Sequence, residues 1–282
     1  MNYLKDYREG EKFVGTYLCK QKQILKTKAG KTYYSLTLQD KTGTADGKIW
    51  ELNNGIANFE PMDYIHCEGM VTSFQGNLQM NISRVRISDE GEYDPADYVP
   101  CTNKDVGEMF SRILKYVASV QNKYLRKILE MYFVENKEFV DAFKKHSAAK
   151  SVHHGFMGGL LEHTLSVTDM CQYFAEHYPM IHRDLLITAA LFHDMGKIQE
   201  ISDFPMNDYT DDGQLLGHIY IGARCMENAA AQIPNFPPKL KNELVHCILA
   251  HHGKMEFGSP KVPAIMEAMA LHMADNADAK LQ

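Results

Sequence analysis

The amino-acid sequence predicts a two-domain protein with an N-terminal all-β barrel and a C-terminal all-α domain. Two patterns support this fold class. Up to Ser88, short runs of alternating apolar and polar residues are separated by glycine- and asparagine-containing turns, as in strands. Beyond Val106, apolar residues recur every three or four positions, as in amphipathic helices. An acidic stretch with two prolines predicts a linker at 91–100 between domains at 1–90 and 101–282.

The overall composition is that of a soluble globular protein, with 45% hydrophobic and 23% charged residues among 282. A net charge of −6 argues against a globally basic nucleic-acid binder but leaves room for a local basic patch. The six cysteines form no CxxC pair, which favours a reduced cytoplasmic protein without a zinc ribbon or disulfide framework. No run approaches the roughly 20 apolar residues of a membrane span, and the N-terminus lacks an apolar leader, so we expect no membrane partner.

Five short strands are predicted in the N-terminal domain, at 13–18, 33–39, 47–50, 64–72 and 78–82. That number of strands in so short a domain indicates a small closed barrel of the OB type. Residues 34–43, Tyr-Ser-Leu-Thr-Leu-Gln-Asp-Lys-Thr-Gly, resemble the strand and turn of nucleic-acid-binding OB domains.

The segment 20–31 carries five lysines in twelve residues and is predicted to form the first long turn of the barrel. Lysines that neutralise phosphates, next to rings that stack on bases, are typical of single-strand binding. The alternative is a solvated hairpin whose neighbouring rings partly face the core. The predicted nucleic-acid-binding residues are Lys20, Lys22, Lys26, Lys28, Lys31, Tyr33, Tyr34, Trp50 and Phe74.

In the helical domain, His193 and Asp194 close the apolar run 184–192. The run predicts a buried helix with Asp184 as its N-cap and Gly196 as its C-terminal stop. Burying an imidazole beside a carboxylate costs several kcal/mol unless something compensates both groups. A metal ion does so, and a His–Asp hydrogen bond without an ion is the alternative.

Further histidines and an aspartate lie on other apolar helices of the same domain. Any one of them alone would more often be a satisfied core or helix-end residue, but together they favour a metal centre. They are His163, His218, His251, His252 and Asp275. The order His, His-Asp, His, His-His, Asp resembles the HD superfamily of metal-dependent phosphohydrolases, in the version that holds two metals.

A loop precedes the helix of His163. Lys150, His153 and His154 lie there before a glycine pair, where they are predicted to contact a phosphate at the helix start. Simple loop polarity is the equal alternative.

An OB domain followed by this arrangement is similar to the YhaM-type 3′→5′ exoribonucleases of bacteria. The matching phrases are Gly-Gly-Leu-Leu-Glu-His-Thr at 158–164, Leu-Phe-His-Asp-Met-Gly-Lys at 191–197, and His-His-Gly at 251–253 with Gly-Ser-Pro at 258–260. The resemblance covers nearly the whole chain. It implies release of 5′-mononucleotides from the 3′ end of single-stranded RNA, with single-stranded DNA as a further substrate to test.

Imidazole and carboxylate ligands without a thiolate suit two divalent ions, of which Mn²⁺ is the first choice over Fe²⁺, Co²⁺ or Zn²⁺. A carboxylate can bridge two ions, so Asp194 is the predicted bridge. We expect His163, His193 and Asp275 to complete one site, and His218 with His251 the other. Lys197 is a predicted phosphate contact, and His252 is either a ligand or a hydrogen-bond donor to the phosphate or the leaving oxygen.

Two other functions are compatible with the same residues. One is hydrolysis of small or cyclic nucleotides, in which case the lysine-rich barrel has no evident purpose. The other is nucleic-acid binding with a structural metal centre. The sequence leaves open the identity of the metal, the choice between RNA and DNA, and whether a segment follows Gln282. It also leaves the oligomeric state open, and a homo-oligomer is one possibility.

Overall fold

The computed structural model describes residues 2–53, 55–150 and 155–281. The chain divides into two compact units, residues 1–100 and 101–282. The first is all-β and the second all-α, which confirms the predicted fold class. None of the helices in these described ranges is both long and apolar enough to cross a membrane.

The first unit is a closed barrel with the strand order β1-β2-β3-β5-β4. Its strands are β1 (Lys12–Lys26), β2 (Thr32–Asp40), β3 (Gly43–Ile49), β4 (Tyr64–Phe74) and β5 (Asn77–Ile87). All neighbouring strands are antiparallel except β3 and β5, which are parallel, and β1 closes the barrel on β4. Five strands closed in this order form an OB fold.

Alternate residues of the strands fill the barrel, as the period of two predicts. Leu36 and Leu38 of β2 and Ile49 of β3 point inward and are buried. Gly69 marks an irregularity between β4 and β5. A Cβ atom there would lie 2.0 Å from the carbonyl oxygen of Asn81, so only glycine permits this approach of the two strands.

The lysine-rich segment is mostly strand, which corrects the predicted long turn. β1 runs on to Lys26 and pairs with β2, so that Ile24 faces Tyr34 and Leu25 faces Tyr33. The turn itself is confined to 27–31, where Thr27 N–H donates to the Lys31 carbonyl at 2.9 Å. Ladder hydrogen bonds and cross-strand apolar pairs outweigh the local charge. The lysines therefore lie mainly along a strand.

The predicted linker, 91–100, packs against the barrel as part of the first unit. The ring of Tyr98 is buried. Its carbonyl accepts a hydrogen bond from Gln39 Nε2 at 2.9 Å. Tyr93 stacks on Tyr64 of β4 with 4.1 Å between ring centroids. Aromatic packing thus holds a segment whose acidity and prolines suggested an extended connection.

The second unit is a bundle of helices around one core, in which α5 is central. The described helices are α1 (Val106–Ser119), α2 (Lys123–Glu130), α3 (Lys137–Lys145), α4 (Gly159–His177), α5 (Arg183–Phe192), α6 (Lys197–Glu200), α7 (Asp211–Ala231), α8 (Pro238–Ala250) and α9 (Met266–Leu281). Every side chain of α5 from Leu185 to Phe192 is buried. Helices α4, α8 and α9 pack around α5, which explains why its sequence is apolar on all sides.

Both predicted ends of α5 differ from those observed. His182, not Asp184, caps the helix, accepting a hydrogen bond from Leu185 N–H at 3.2 Å. Asp184 instead accepts from the backbone N–H groups of Gln121 and Asn122. Gly196 is not the stop, since α5 already ends at Phe192.

Gly196 has a different role, in helix packing. A Cβ atom at this position would lie 2.1 Å from the carbonyl oxygen of His218. Glycine therefore lets the backbone of α7 approach the segment that carries His193 and Asp194.

Candidate metal centre

The bundle brings the predicted ligands together because their helices surround the end of α5. His193 and Asp194 directly follow α5, while α4 supplies His163 and α9 supplies Asp275. The remaining histidines come from α7 and from the C-terminal end of α8. Two groups result, each with ligand atoms within 4.8 Å of one another: His163, His193 and Asp275 in the first group, and His218, His251 and His252 in the second group.

Asp194 lies between the two groups and turns one oxygen towards each. Its Oδ2 is 3.3 Å from His163 Nε2 and 3.4 Å from His193 Nε2. Its Oδ1 is 3.6 Å from the Nε2 atoms of both His218 and His251. The carboxylate is buried, with 2% of its side chain exposed. A bridging carboxylate requires this division of its two oxygens.

The five imidazoles share one orientation, in which Nδ1–H donates to an oxygen and Nε2 faces the site. An acceptor at Nδ1 fixes the ring and leaves the Nε2 lone pair of the neutral form for a metal. The donor–acceptor pairs are His163 to Asp278 Oδ2, His193 to the Ala190 carbonyl, His218 to Glu200 Oε1, His251 to the Ile248 carbonyl and His252 to the Phe257 carbonyl, at 2.6–2.9 Å.

Several buried polar atoms at the centre are unsatisfied by the part of the chain that is described. His218 Nε2, His251 Nε2 and Asp194 Oδ1 have no hydrogen-bond partner there. Lys197 Nζ forms an ion pair with Asp194 Oδ2 at 2.7 Å, which offsets only part of the charge. His163 and His193 also face each other through Nε2 atoms 3.2 Å apart. Bound cations would satisfy all of these atoms, so the residues present fit divalent metal ions.

The electrostatic field of the centre also favours cations. Burial lowers the pKa of His163, but the surrounding carboxylates of Asp194, Asp275 and Asp278 outweigh it and raise that pKa well above its ordinary value. Burial raises the pKa of Asp194, but Lys197 and the nearby histidines outweigh it and hold that pKa well below its usual range. The carboxylates therefore stay ionised and attract positive charge.

Two acidic residues that were not predicted from the sequence orient His163 and His218, two of the predicted ligands. Asp278 accepts from His163 Nδ1–H at 2.6 Å and also from the Ser166 hydroxyl. It lies three residues after Asp275 on α9, and that helical spacing was a usable signal. Glu200 accepts from both the ring and the backbone N–H of His218. No local pattern signals Glu200, because this contact joins residues 18 positions apart, beside the kink of α7 at Gly217.

The predicted phosphate-binding loop lies partly outside the described residues, which exclude His153 and His154. Lys150 forms an ion pair with Asp208 at 2.6 Å. Its Nζ is also 5.8 Å from the ring centroid of Tyr209. The structure therefore places the Lys150 ammonium against the loop before α7.

On the barrel, the predicted aromatic residues fall into two environments. Tyr33 stacks on Trp50 at 4.6 Å between centroids, and Trp50 remains 40% exposed. Phe74 is exposed at the end of β4. Tyr34, in contrast, packs edge-to-face on Phe59 against the barrel core.

The predicted lysines divide in the same way. Lys20, Lys26 and Lys28 are exposed, and Lys31 is exposed but paired with Glu51 at 3.2 Å. Lys22 is engaged: its Nζ donates to the Phe59 carbonyl at 2.6 Å and lies over the rings of Tyr34 and Phe59. Lys22 and Tyr34 thus contact Phe59 of the barrel core, although both remain partly exposed.

Comparison with known proteins agrees with this architecture. Residues 160–280 match the HD domain family. The chain is therefore a metal-dependent hydrolase of the HD class that also carries an OB barrel. It is 32% identical over 259 residues to the 3′-5′ exoribonuclease YhaM of Bacillus subtilis (strain 168), covering 89% of this chain and 80% of that protein. The chain belongs to the YhaM family.

A second YhaM protein and a solved OB-fold domain are also similar to this chain. The 3′-5′ exoribonuclease YhaM of Geobacillus sp. (strain WCH70) is 33% identical over 254 residues, covering 89% of this chain and 77% of that protein. Among solved structures, the second OB-fold domain of replication protein A from Methanococcus maripaludis is similar at 20% identity and a TM-score of 0.26, covering 32% of this chain and 98% of that one. The strand order, not this likeness, defines the barrel as an OB fold.

Proposed function

We propose that this protein is a metal-dependent 3′→5′ exoribonuclease that releases 5′-mononucleotides from single-stranded RNA in the cytoplasm. The observation that carries the proposal is the buried carboxylate of Asp194, which turns one oxygen to each of two ligand groups. The YhaM relatives, named as 3′-5′ exoribonucleases, support the substrate and the direction. Single-stranded DNA is a second substrate in this proposal.

In the proposed centre, two divalent ions, Mn²⁺ by first choice, would share Asp194 as a ligand. His163, His193 and Asp275 complete one site, and His218 with His251 complete the other. When bound, the metal would supply an activated water nucleophile and positive charge to offset that developing on the phosphate. The ligand set of nitrogen and oxygen atoms, without a thiolate, supports a metal of this kind.

Two other side chains act on the substrate in this proposal. Burial lowers the pKa of Lys197, but Asp194 beside it more than compensates, so the net shift is upward and the ammonium stays charged. We assign Lys197 to a phosphate oxygen. His252 is tethered by Nδ1–H to the Phe257 carbonyl, which leaves Nε2 to exchange a proton with the substrate. His252 also lies within the second group, where ligation is its alternative role.

The barrel supplies affinity for the strand. Trp50 and Tyr33 offer a ring surface on which bases stack, and Lys20, Lys26 and Lys28 offer positive charge for phosphates. We propose residues 1–90 as the strand-binding domain, 91–100 as the connection and 101–282 as the hydrolytic domain. This division of labour explains a barrel that hydrolysis of a small nucleotide would not need.

The test is digestion of a single-stranded RNA labelled at its 5′ end, with Mn²⁺ and with the His193→Ala variant as control. We expect labelled products that shorten one nucleotide at a time, 5′-mononucleotides as the released species, and no reaction with EDTA or the variant. Immediate release of a labelled mononucleotide would mean degradation from the other end. An intact RNA alongside rapid hydrolysis of a cyclic nucleotide would overturn the proposal.

A further inference from the structure

A cavity of about 430 Å³ adjoins the first group of ligands. This volume lies within the range of pockets that enclose small organic ligands, about 300–1,000 Å³. One side of the cavity is formed by His163, Lys197 and Asp275 of the metal centre. The remaining walls include Phe257, His272 and Asn276, whose side chains have no role in the mechanism described above.

The position of the cavity identifies the part of the substrate that would enter it. Release of a 5′-mononucleotide breaks the bond on the 5′ side of the last nucleotide. The terminal nucleoside must then lie next to the reacting phosphate, with its sugar and base beyond the metal ligands. The cavity adjoins those ligands and offers such a space.

His272 is held in one orientation on the wall of this cavity. Its Nδ1–H donates to the backbone carbonyl of His251 at 2.9 Å. Its ring rests on Gly253, where a Cβ atom would lie 2.3 Å from the His272 Nε2 and Cε1 atoms. Gly253 also has a positive φ of +78°, a backbone conformation that is a second reason for glycine at this position. The backbone thus makes room for the imidazole and fixes it.

The fixed ring presents a hydrogen-bond acceptor. Because Nδ1 carries the proton that the His251 carbonyl accepts, Nε2 of the neutral ring carries a lone pair. The described residues provide no hydrogen-bond partner for this nitrogen, and His272 belongs to neither ligand group. A hydroxyl group of a ligand in the cavity is a donor of the required kind.

The other walls suit a nucleoside as well. Asn276 follows His272 by four residues on α9 and therefore lies on the same helix face. Phe257 presents a ring that is 55% exposed. An aromatic face for the base beside hydrogen-bonding side chains is the combination by which proteins bind unpaired nucleotides.

We infer that His272 Nε2 accepts a hydrogen bond from a hydroxyl of the 3′-terminal ribose, so that the enzyme reads the sugar of the nucleotide it removes. The inference rests on the proposed exonuclease function and deepens it. It makes His272 a specificity-determining residue that acts on the substrate.

The test uses three RNA oligonucleotides of one sequence that differ only in the last sugar: ribose, 2′-deoxyribose or 3′-deoxyribose. The rate of removal of the terminal nucleotide is measured under single-turnover conditions with the full-length protein. We expect the wild type to remove one of the two deoxy termini about 3- to 10-fold more slowly than ribose, the effect of one neutral hydrogen bond. The two deoxy arms identify which hydroxyl donates.

The decisive variants are His272→Phe, which keeps a ring, and His272→Ala. Both variants also lose the hydrogen bond to the His251 carbonyl, which could lower activity on every substrate. The readout is therefore the ratio of the rates on deoxy and ribose termini within each variant, because a general loss of activity cancels in this ratio. We expect equal rates for all three termini. His246→Ala is the matched control, because His246 accepts from Ala264 N–H and is not among the residues that line the cavity. It should keep the wild-type preference.

Two results would overturn the inference while leaving the exonuclease function intact. One is a wild type that removes the three termini at equal rates. The other is a wild-type sugar preference that persists in both His272 variants. Failure of the wild type to degrade the ribose-terminated RNA would instead overturn the proposed function, and this inference with it.

Discussion

Asp194 is suited to its position because a carboxylate offers two oxygens, whereas a neutral imidazole offers one lone pair. It directly follows the central helix α5, which is anchored by apolar packing along its whole length. The chain then turns sharply and Gly196 brings α7 close. One residue can therefore reach histidines from four different helix segments.

The adjacent His251 and His252 differ at the residue scale and should differ in function. His251 is fully buried with Nε2 3.6 Å from Asp194 Oδ1, whereas His252 is partly exposed. We expect His251→Ala to lose the second metal ion. His252→Ala should retain metal and mainly lower kcat.

Metal content of the purified variants, together with kcat, tests this distinction. The opposite pattern would exchange the two roles. Equal loss of metal from both variants would make His252 a ligand as well.

Asp278 should act on metal affinity through His163. In Asp278→Asn, the ring loses a charged acceptor at Nδ1 and with it part of its orientation and basicity. We expect metal affinity to fall roughly 10- to 100-fold, as for other groups that orient a ligating histidine. Titration of the metal-free protein with Mn²⁺ measures the effect.

Asp169→Asn is the matched control for that titration. Asp169 is an acid on α4 that binds Arg112 and Tyr116, away from the ligands. It should leave the affinity unchanged. An unaltered affinity in Asp278→Asn would show that His163 needs no support from this carboxylate.

At the scale of single residues, the sequence was most informative where a motif imposes its own spacing. His193 and Asp194 are neighbours in the sequence, and the other predicted ligands lie among the apolar residues of their helices. Glu200 could not be predicted in this way. Its contact with His218 joins residues 18 positions apart, beside the kink of α7 at Gly217, where φ is 72°.

At the scale of elements, the β1–β2 hairpin shows where a charge pattern misleads. A run of lysines suggested a turn, yet the chain continues as β1 through Ile24 and Leu25, which pair with Tyr34 and Tyr33 of β2. The sequence also could not tell which lysines face outward. Lys22 lies on the side of Tyr34 and Phe59 because the register of the barrel places it there.

The stacked pair of Tyr33 and Trp50 should contribute to strand binding. We expect Trp50→Ala to weaken binding of single-stranded RNA by about 5- to 150-fold, since stacking on one ring is worth ~1–3 kcal/mol per base. Fluorescence anisotropy of a labelled oligonucleotide, with Ca²⁺ in place of Mn²⁺ to limit hydrolysis, gives Kd.

Tyr173→Ala controls for the loss of an exposed ring. Tyr173 is 56% exposed and stacks on His177 in the helical unit. Its removal should not change Kd. An unchanged Kd in Trp50→Ala would assign the ring pair to barrel stability instead of nucleic-acid binding.

At the scale of the whole molecule, the change of pattern from strand to helix was sufficient to predict two units. At the connection, composition did not indicate that Tyr93 and Tyr98 pack on the barrel. Acidic residues and prolines indicate a low local preference for helix or strand. They carry no information about aromatic contacts with residues distant in the sequence.

Deletion of residues 1–100 should lower kcat/KM on polymeric RNA far more than on a small chromogenic phosphodiester. The polymer loses the stacking and charge that hold it, so we expect at least a tenfold decrease, while the small substrate has no strand to hold. Circular dichroism and metal content must first show that the shortened protein is folded and loaded. Equal losses on both substrates would give the barrel a supporting role in hydrolysis.

The central claim is that a single buried carboxylate joins two metal sites into one hydrolytic centre. Native mass spectrometry of the intact protein counts the bound metal ions per chain directly. For the wild type loaded with Mn²⁺ we expect two ions, and for a folded Asp194→Ala variant none, with loss of RNA hydrolysis. A variant that retains two ions, or an active wild type that binds only one, would contradict the claim.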